Sequence, residues 1–312
     1  MELSLARVGE RIDRFLFAPV DARAVAAMRI SLGVLLLFAW VPLGAQFVTL
    51  FHVDGIVDAH LIDTYWTPYA LRWLEGLSPE GLMGVYGLGI VAIVAFTTGT
   101  LTPVANGVVV VLLVLIHHRN PWIQNGGDRL IRIWALLMLV IPSGAAWSVD
   151  AWLRERLGWT SRATVPAFGL RLIQIQLVVM YTYTGLAKLG DSAWFSGEAI
   201  YYAISDGGFS RAPWLLDPIV QHPVARPFLW LLDLGTLAFE IGFLPLVLWS
   251  RTRNATLIAG IALHAGIFLT MAVGLFGPAS VWGYQALAPW SQPRDSTGLR
   301  ESKPMEARHE RR

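Results

Sequence analysis

Long apolar stretches separated by short polar ones dominate this chain. Eight of them approach the roughly 17–25 residues that a helix needs to cross a bilayer. We predict spanning helices over about 24–44, 82–100, 102–118, 128–142, 166–187, 228–249, 255–274 and 276–290. The chain is therefore predicted to be an all-α integral membrane protein, a polytopic bundle of about eight transmembrane helices.

The composition supports a membrane protein. Of 312 residues, 55% are hydrophobic and 15% are charged, whereas soluble domains have roughly 25% charged residues. The net charge of +2 gives no reason to expect a nucleic-acid partner, and the absence of cysteine excludes disulfides and thiolate ligands. No metal site is predicted. Residues 1–290 form the predicted membrane domain, and the polar residues 291–312 are predicted to be a disordered tail.

The basic residues indicate the orientation. With the N-terminus inside, fifteen basic residues lie in inner loops or at the termini, and four lie outside. The positive-inside rule then places both termini in the cytoplasm and the chain in the inner membrane of the cell. Two long aromatic-rich segments, 47–81 and 190–227, fall on the outer side. They include Thr64–Tyr69 and Trp194–Tyr202, which could cover a site or simply anchor the chain at the headgroups.

A polar stripe runs along the fifth predicted helix. Its members are Arg171, Gln174, Val178, Tyr181, Gly185 and Lys188, at spacings of 3, 4, 3, 4 and 3. These spacings put them on one face, and Thr184 lies on an adjacent line. Ionisable groups are costly in a bilayer, so we expect this face to meet protein or a water-filled cavity.

Other polar residues lie within or beside predicted spans. Asn125 and Asp128 suit the start of the fourth helix, where Asp128 can also pair with Arg132 four residues on. Asp233, Thr236 and Glu240 share a face of the sixth helix. His264 lies in an apolar stretch of the seventh, where a hydrogen-bonded core histidine is the alternative to a site residue.

A count of the ionisable groups in the predicted spans leaves Lys188 as the one without a partner of opposite charge. Arg29, Arg132 and Arg171 can balance Asp128, Asp233 and Glu240. Lys188 is one of two lysines among 24 basic residues, and the other, Lys303, lies in the tail. Burial disfavours the ammonium form of lysine, and a neutral amine can take a proton from a phenol or hydroquinone. Alternatively, Lys188 extends to the outer surface and pairs with Asp191 or a lipid phosphate.

Two runs resemble a known family. The run Gly185-Leu-Ala-Lys188-Leu-Gly-Asp-Ser-Ala-Trp194 resembles the segment that carries the catalytic lysine of the vitamin K-dependent gamma-carboxylase. The stretch from Asn125-Gly-Gly-Asp128 to Trp147-Ser-Val-Asp150 resembles the related horizontally transferred transmembrane (HTTM) domain of bacteria. The likeness in order and hydropathy covers about residues 20–290.

The resemblance implies a site. Lys188 would be the base that deprotonates a reduced quinone similar to vitamin K, as the carboxylase does before it carboxylates glutamate. The pocket would include Asn125, Asp128, Arg132, Arg171, Gln174, Tyr181, Thr184, Glu240 and His264, with Trp147 and Trp194 at its rim. Ala145 stands where the carboxylase has a histidine, so this electrostatic helper is missing here.

Three functions follow from these observations. The first is a carboxylase-like enzyme that acts on a quinol or another lipidic substrate, with membrane lipids around it. The second is a noncatalytic accessory or assembly subunit of a larger membrane complex, with partner subunits. The third is a small-solute transporter or export factor, which the lack of an internal repeat disfavours.

Overall fold

The computed structural model describes residues 2–65, 72–160 and 162–291, and these fold almost entirely into helices. The α-helices are α1 Glu2–Phe17, α2 Ala22–Trp40, α3 Phe47–Phe51, α4 Ala59–Tyr65, α5 Pro79–Thr98, α6 Thr102–Arg119, α7 Gly126–Met138, α8 Val149–Arg156, α9 Phe168–Lys188, α10 Ala193–Ser196, α11 Ala199–Ser205, α12 Pro213–Val220, α13 Ala225–Leu248, α14 Ser250–Thr270 and α15 Phe276–Trp282. Most of the aromatic piece at 64–69 and the tail from residue 292 lie outside the described residues.

Local sequence explains where several helices begin and end. The side chain of Asp21 caps α2 by accepting a hydrogen bond from the Arg23 amide. Ser78 caps α5 in the same way, and Gly99 ends that helix with a φ of 73°, which glycine adopts without steric cost. The predicted start of α7 is confirmed, since Asn125 and Asp128 form a reciprocal capping box.

Four stretches in the described part of the chain are long and apolar enough to cross a membrane. They are Ala22–Phe51, Pro79–Thr98, Thr102–Arg119 and Ala225–Leu248. The helices α9 and α14 have 21 residues each, but α7 has 13 and α15 has seven, too few to cross alone. The all-α membrane fold is therefore confirmed. The count of eight spans is not confirmed, and the orientation stays a prediction.

The long helices form two packed groups. In the first, α2 packs against α5, α5 against α6, and α6 against α7. In the second, α13 packs against both α9 and α14. The short helix α15 lies between the groups, in contact with α7, α14 and α2. A continuous core forms where the groups meet, and it includes the indoles of Trp134 and Trp282, whose ring centres lie 5.5 Å apart with the planes tilted by 36°.

A small sheet departs from the all-helical prediction. Strand β1, Pro19–Asp21, pairs antiparallel with β2, Thr164–Pro166, and Val20 lies opposite Val165. The two strands immediately precede α2 and α9. Their pairing therefore fixes the starts of two long helices, one from each group, at the same level.

Arg29 on α2 is fully buried, with 0% exposure. Its guanidinium donates to the backbone carbonyls of Thr97, Ser143, Ala146 and Trp147. These contacts tie α2 to the end of α5 and to the turn that follows α7. Because a buried charge is stable only with good hydrogen bonds around it, this arrangement organises that end of the bundle.

We expect Arg29→Gln to lower the free energy of unfolding by about 3 kcal/mol, because several buried carbonyls lose their donors. Denaturant titration of the purified chain in detergent measures this. Arg23→Gln is the matched control on the same helix, since the Arg23 side chain is 64% exposed. Equal losses in the two variants would contradict the structural role of Arg29.

Candidate functional site

A cavity of about 720 Å³ lies among α7, α9, α13 and α14, and we call it the Lys188 cavity. The segment from Trp194 to Phe209 contributes to its wall. Seven of the predicted site residues line it: Asn125, Tyr181, Thr184, Lys188, Trp194, Glu240 and His264. No member of the polar stripe on α9 is exposed, which confirms the prediction that this face meets protein or a cavity.

Lys188 forms an ion pair with Glu240. Its Nζ lies 2.9 Å from Oε1 and 2.7 Å from Oε2 of the carboxylate. The expectation that Lys188 lacks an acidic partner, with the carboxylates balanced by arginines, is therefore wrong. The alternative partner Asp191 instead accepts a hydrogen bond from the Ala193 amide. The pair places one positive and one negative charge side by side at the cavity wall.

A glycine makes this ion pair possible. A Cβ on Gly185 would lie 3.0 Å from the backbone nitrogen of Ile241 and 3.1 Å from the Cβ of Glu240. Hence α9 and α13 approach each other closely at Gly185, one turn before Lys188. Small residues at such crossings are the usual means by which membrane helices come together.

Trp194 lies over the lysine. The Lys188 Nζ is 4.9 Å from the centre of the indole ring, a distance at which the ammonium and the ring attract each other. Trp194 belongs to the short helix α10, which ends at Gly197 with a φ of 81°. The structure thus places Trp194 in the lining of the cavity.

A chain of hydrogen bonds forms a second polar group in the wall. The Tyr181 hydroxyl lies 2.7 Å from Nε2 of His264 and 2.5 Å from the hydroxyl of Tyr284. Nδ1 of His264 is buried and has no hydrogen-bond partner among the described residues. Tyr284 was not predicted, and it approaches because Gly260 leaves room for its ring.

Asp128 and Arg132 are not brought to this cavity. The Asp128 carboxylate accepts the Asn125 amide at 2.9 Å and so closes the first turn of α7. One turn later, Nη1 of Arg132 lies 3.2 Å from Nδ1 of His117 and 3.3 Å from Oε1 of Gln124. Both side chains therefore help to hold α7 in place and do not line the cavity.

Arg171 and Gln174 lie at the opposite end of α9. Arg171 donates to the Phe15 carbonyl at 3.0 Å and to Gln174 at 2.8 Å. Gln174 donates in turn to the Ala286 carbonyl at 2.6 Å. Arg171 and Lys188 are seventeen positions apart on α9, about 25 Å along the axis. The polar stripe on α9 therefore contacts α1 at one end and the Lys188 cavity at the other.

Trp147 and Ala145 are also remote from Lys188. The Trp147 side chain is 60% exposed, and its backbone, at a φ of 46°, presents its carbonyl to Arg29. Ala145 is buried and lines a different cavity, near the end of α7. The position at which the carboxylase has a histidine and this chain has Ala145 therefore does not line the Lys188 cavity. The histidine that lines this cavity is His264.

Three polar residues of the cavity were not part of the predicted pocket. Gln124 and Arg129 line it near the start of α7, and Thr236 lines it from α13. Arg129 follows Asn125 by four residues, so the helical repeat does put both on one face. This spacing could have predicted that Arg129 lines the cavity together with Asn125. Within the described residues, no three potential metal ligands cluster.

The fold and the cavity define a multi-pass helical membrane protein with a charged pair in the wall of an internal cavity. The family model described as the HTTM domain matches residues 17–285. The chain belongs to the HTTM-domain family, which confirms the family inferred from the sequence.

Two curated relatives come from Bacillus subtilis (strain 168). The sporulation-delaying protein SdpB is 23% identical over 147 residues, which cover 45% of this chain and 44% of that protein. The uncharacterized protein YitO is 31% identical over 127 residues, 38% of each chain. The chain thus spans less than half the length of the curated relatives it matches. No solved structure matches it.

We expect Lys188→Met and Glu240→Gln each to destabilise the protein by about 3 kcal/mol, because each leaves one buried charge without its partner. The double variant should lose clearly less than the sum of the two losses. Denaturant titration of all four proteins measures the coupling. A parallel cycle of Lys188→Met with Asp191→Asn should show no coupling. Strong coupling to Asp191 would contradict the observed pairing.

Proposed function

We propose that the protein binds a quinol, or another lipid-soluble compound with an acidic hydroxyl, in the Lys188 cavity and removes the hydroxyl proton there. The ion pair of Lys188 and Glu240 in the wall of a largely apolar cavity is the observation that carries this proposal. The volume of about 720 Å³ falls within the roughly 300–1,000 Å³ of small-molecule sites. The family resemblance of the run around Lys188 supports the same role for this lysine.

The ion pair decides how the proton is taken. An ammonium group has no lone pair, so Lys188 acts as a base only when Glu240 holds the lysine's own proton. The two side chains, 2.7 Å apart, therefore accept one proton as a unit. The O–H bond of the bound quinol breaks, the proton stays on the pair, and the remaining positive charge faces the new oxyanion.

Two further groups can orient the bound molecule. His264 lines the cavity, and its buried Nδ1 has no hydrogen-bond partner among the described residues, so this ring nitrogen is the one that would bond a ligand oxygen. Trp194 covers the Lys188 amine and limits the access of water to it. Exclusion of water strengthens the attraction between the ammonium and an oxyanion.

A neighbouring apolar cavity supports a lipidic substrate. This side cavity, of about 480 Å³, lies between α13 and α14 and shares Ile200, Thr236, Leu263, Ile267 and Met271 with the Lys188 cavity. Leu231 and Leu232 line it and are largely exposed on the surface that would face lipid. A ring near Lys188 could thus extend an alkyl or isoprenoid chain into the side cavity.

The same ion pair also favours a second candidate, a noncatalytic accessory subunit. A lysine that is held by a carboxylate on the neighbouring helix can serve packing alone. Copurification of a stoichiometric membrane partner, together with the absence of any quinol binding, would support this second function over the first.

We expect the wild-type protein to convert a bound short-chain naphthoquinol to its anion at a pH about one to two units lower than free quinol requires. In Lys188→Met this shift should be lost. Absorbance of the anion under anaerobic conditions measures it. Tyr183→Phe is the control, because Tyr183 lies on the same helix but is 73% exposed. Equal anion formation by Lys188→Met and wild type would sink the proposal.

We expect Gly235→Leu and Gly266→Leu to weaken binding of a long-chain quinol by about tenfold and to leave a short-chain quinol unaffected. Both glycines line the side cavity, and an added Cβ meets nothing within 4 Å. Gly107→Leu on α6 is the matched control, since its Cβ also has open space. Equal effects on both quinols would rule out the side cavity as the chain site.

A further inference from the structure

A third cavity lies at the opposite end of α7. The Lys188 cavity is lined by Gly126, where α7 begins, and this cavity is lined by Met138, where α7 ends. We call it the α8 cavity, because Asp150 and Arg154 of α8 line it. Its volume is about 410 Å³, and the thirteen residues of α7 separate it by about 20 Å from the first site.

Two buried polar atoms in its wall lack partners. Asn106 and Ser143 are each 1% exposed and line the cavity. Asn106 donates to the Ala135 carbonyl at 3.0 Å. Because the Ala135 carbonyl can only accept, the Asn106 Nδ2 must point towards it, and the Asn106 Oδ1 points away. Within the described part of the chain, the Asn106 Oδ1 and the Ser143 Oγ have no hydrogen-bond partner.

Unpartnered buried polar atoms are costly, and they indicate a missing ligand or water. The Asn106 oxygen can only accept, so it needs a donor. The Ser143 hydroxyl can donate or accept. A molecule that satisfies both must carry at least one O–H or N–H hydrogen, as a hydroxyl or an ammonium group does.

The charges favour an anion. Arg154 and Arg162 line the cavity. Asp150 also lines it, but its carboxylate already accepts the Leu101 amide, the Thr102 amide and the Thr102 hydroxyl at 2.7–2.8 Å. Burial raises the pKa of Asp150, but these hydrogen bonds and the nearby Arg154 together lower it by more, so the pKa lies below its usual value. The cavity is therefore lined by two guanidinium groups and by one carboxylate whose oxygens already accept hydrogen bonds, which leaves an excess of positive charge.

The surroundings suit a lipid headgroup. On and just after α8, the apolar side chains of Trp152, Leu153, Leu157 and Trp159 are exposed, and Arg156 lies over the Trp152 ring at 5.1 Å. Exposed tryptophans beside arginines are typical of the membrane interface, where basic groups attract anionic headgroups. These side chains favour a position of the α8 cavity at the level of the lipid phosphate groups.

We propose that the α8 cavity binds a phosphate ester that carries a hydroxyl or ammonium group, the chemistry shared by phospholipid headgroups and free glycerol phosphate. Arg154 and Arg162 hold the phosphate, since guanidinium groups match its oxygens. The hydroxyl or ammonium donates to Asn106, and Ser143 provides a second bond. The site is independent of any chemistry at Lys188.

Binding of four probes to the full chain in detergent tests the proposal and separates the two sources. The probes are phosphatidylglycerol, phosphatidylcholine, glycerol phosphate and inorganic phosphate, measured by native mass spectrometry and calorimetry. Phosphatidylglycerol should bind about tenfold more tightly than phosphatidylcholine, whose headgroup has no donor. Binding of glycerol phosphate as well would identify the free ester as a ligand. Equal binding of the two lipids with no binding of glycerol phosphate would overturn the proposal.

Variants assign the binding to this cavity. Ser143→Ala removes a hydroxyl that bonds no described residue, so it should leave the fold intact and weaken phosphatidylglycerol binding about fivefold. Arg162→Gln should weaken it about tenfold. Arg156→Gln is the control on α8, outside the cavity lining. If Ser143→Ala and Arg162→Gln bind as the wild type and Arg156→Gln do, the α8 cavity is not the site.

Discussion

A bilayer supplies no water to polar groups, so a chain that crosses it must satisfy each of them internally. Arg29 shows how far this constraint shapes the structure. Its guanidinium donates to four backbone carbonyls from two separate segments. The turn at 143–147, which follows the end of α7 at Met138 after the connecting residues 139–142, therefore wraps around this side chain. Because residues 143–145 of this turn line the α8 cavity, the contacts of Arg29 also help to position that cavity.

Glycines bring the remaining polar groups together. Gly185 lets α9 and α13 approach at Lys188 and Glu240, and Gly260 accommodates the Tyr284 ring beside Tyr181. In both places an added Cβ would meet backbone or ring atoms at about 3 Å or less. Close helix approach and polar pairing thus depend on each other, because the hydrogen bonds are short only where the backbones are close.

Much of this was predictable from residue spacing within single helices. The helical period placed Tyr181 and Lys188 on one protected face, and the capping pattern located the start of α7 at Asn125. Partners on different helices were not predictable, because they depend on crossing geometry. Lys188 and Glu240 are 52 residues apart, and a count of charges paired them wrongly. Tyr284 had no signal at all, since it lies in a 3₁₀ stretch that had been predicted as a spanning helix.

The stripe on α9 shows the limit of reasoning from one face. A face 21 residues long extends about 30 Å, so its ends meet different surroundings. Arg171 at one end holds α1, and Lys188 at the other faces a cavity. Residues on one face of a helix therefore point in the same direction, but only those within about two turns, roughly 11 Å, lie close enough to belong to one site.

The two polar cavities differ in a way that bears on their roles. In the Lys188 cavity the lysine is already paired with Glu240, so the proposed substrate site needs no resident counter-ion at this side chain. In the α8 cavity, Asn106 and Ser143 lack partners among the described residues, and two arginines exceed one occupied carboxylate. Such a site is stabilised by a ligand that stays. Under the two proposals, the ion pair suits a substrate that exchanges at one end of α7, and the unpartnered groups suit a ligand that stays at the other.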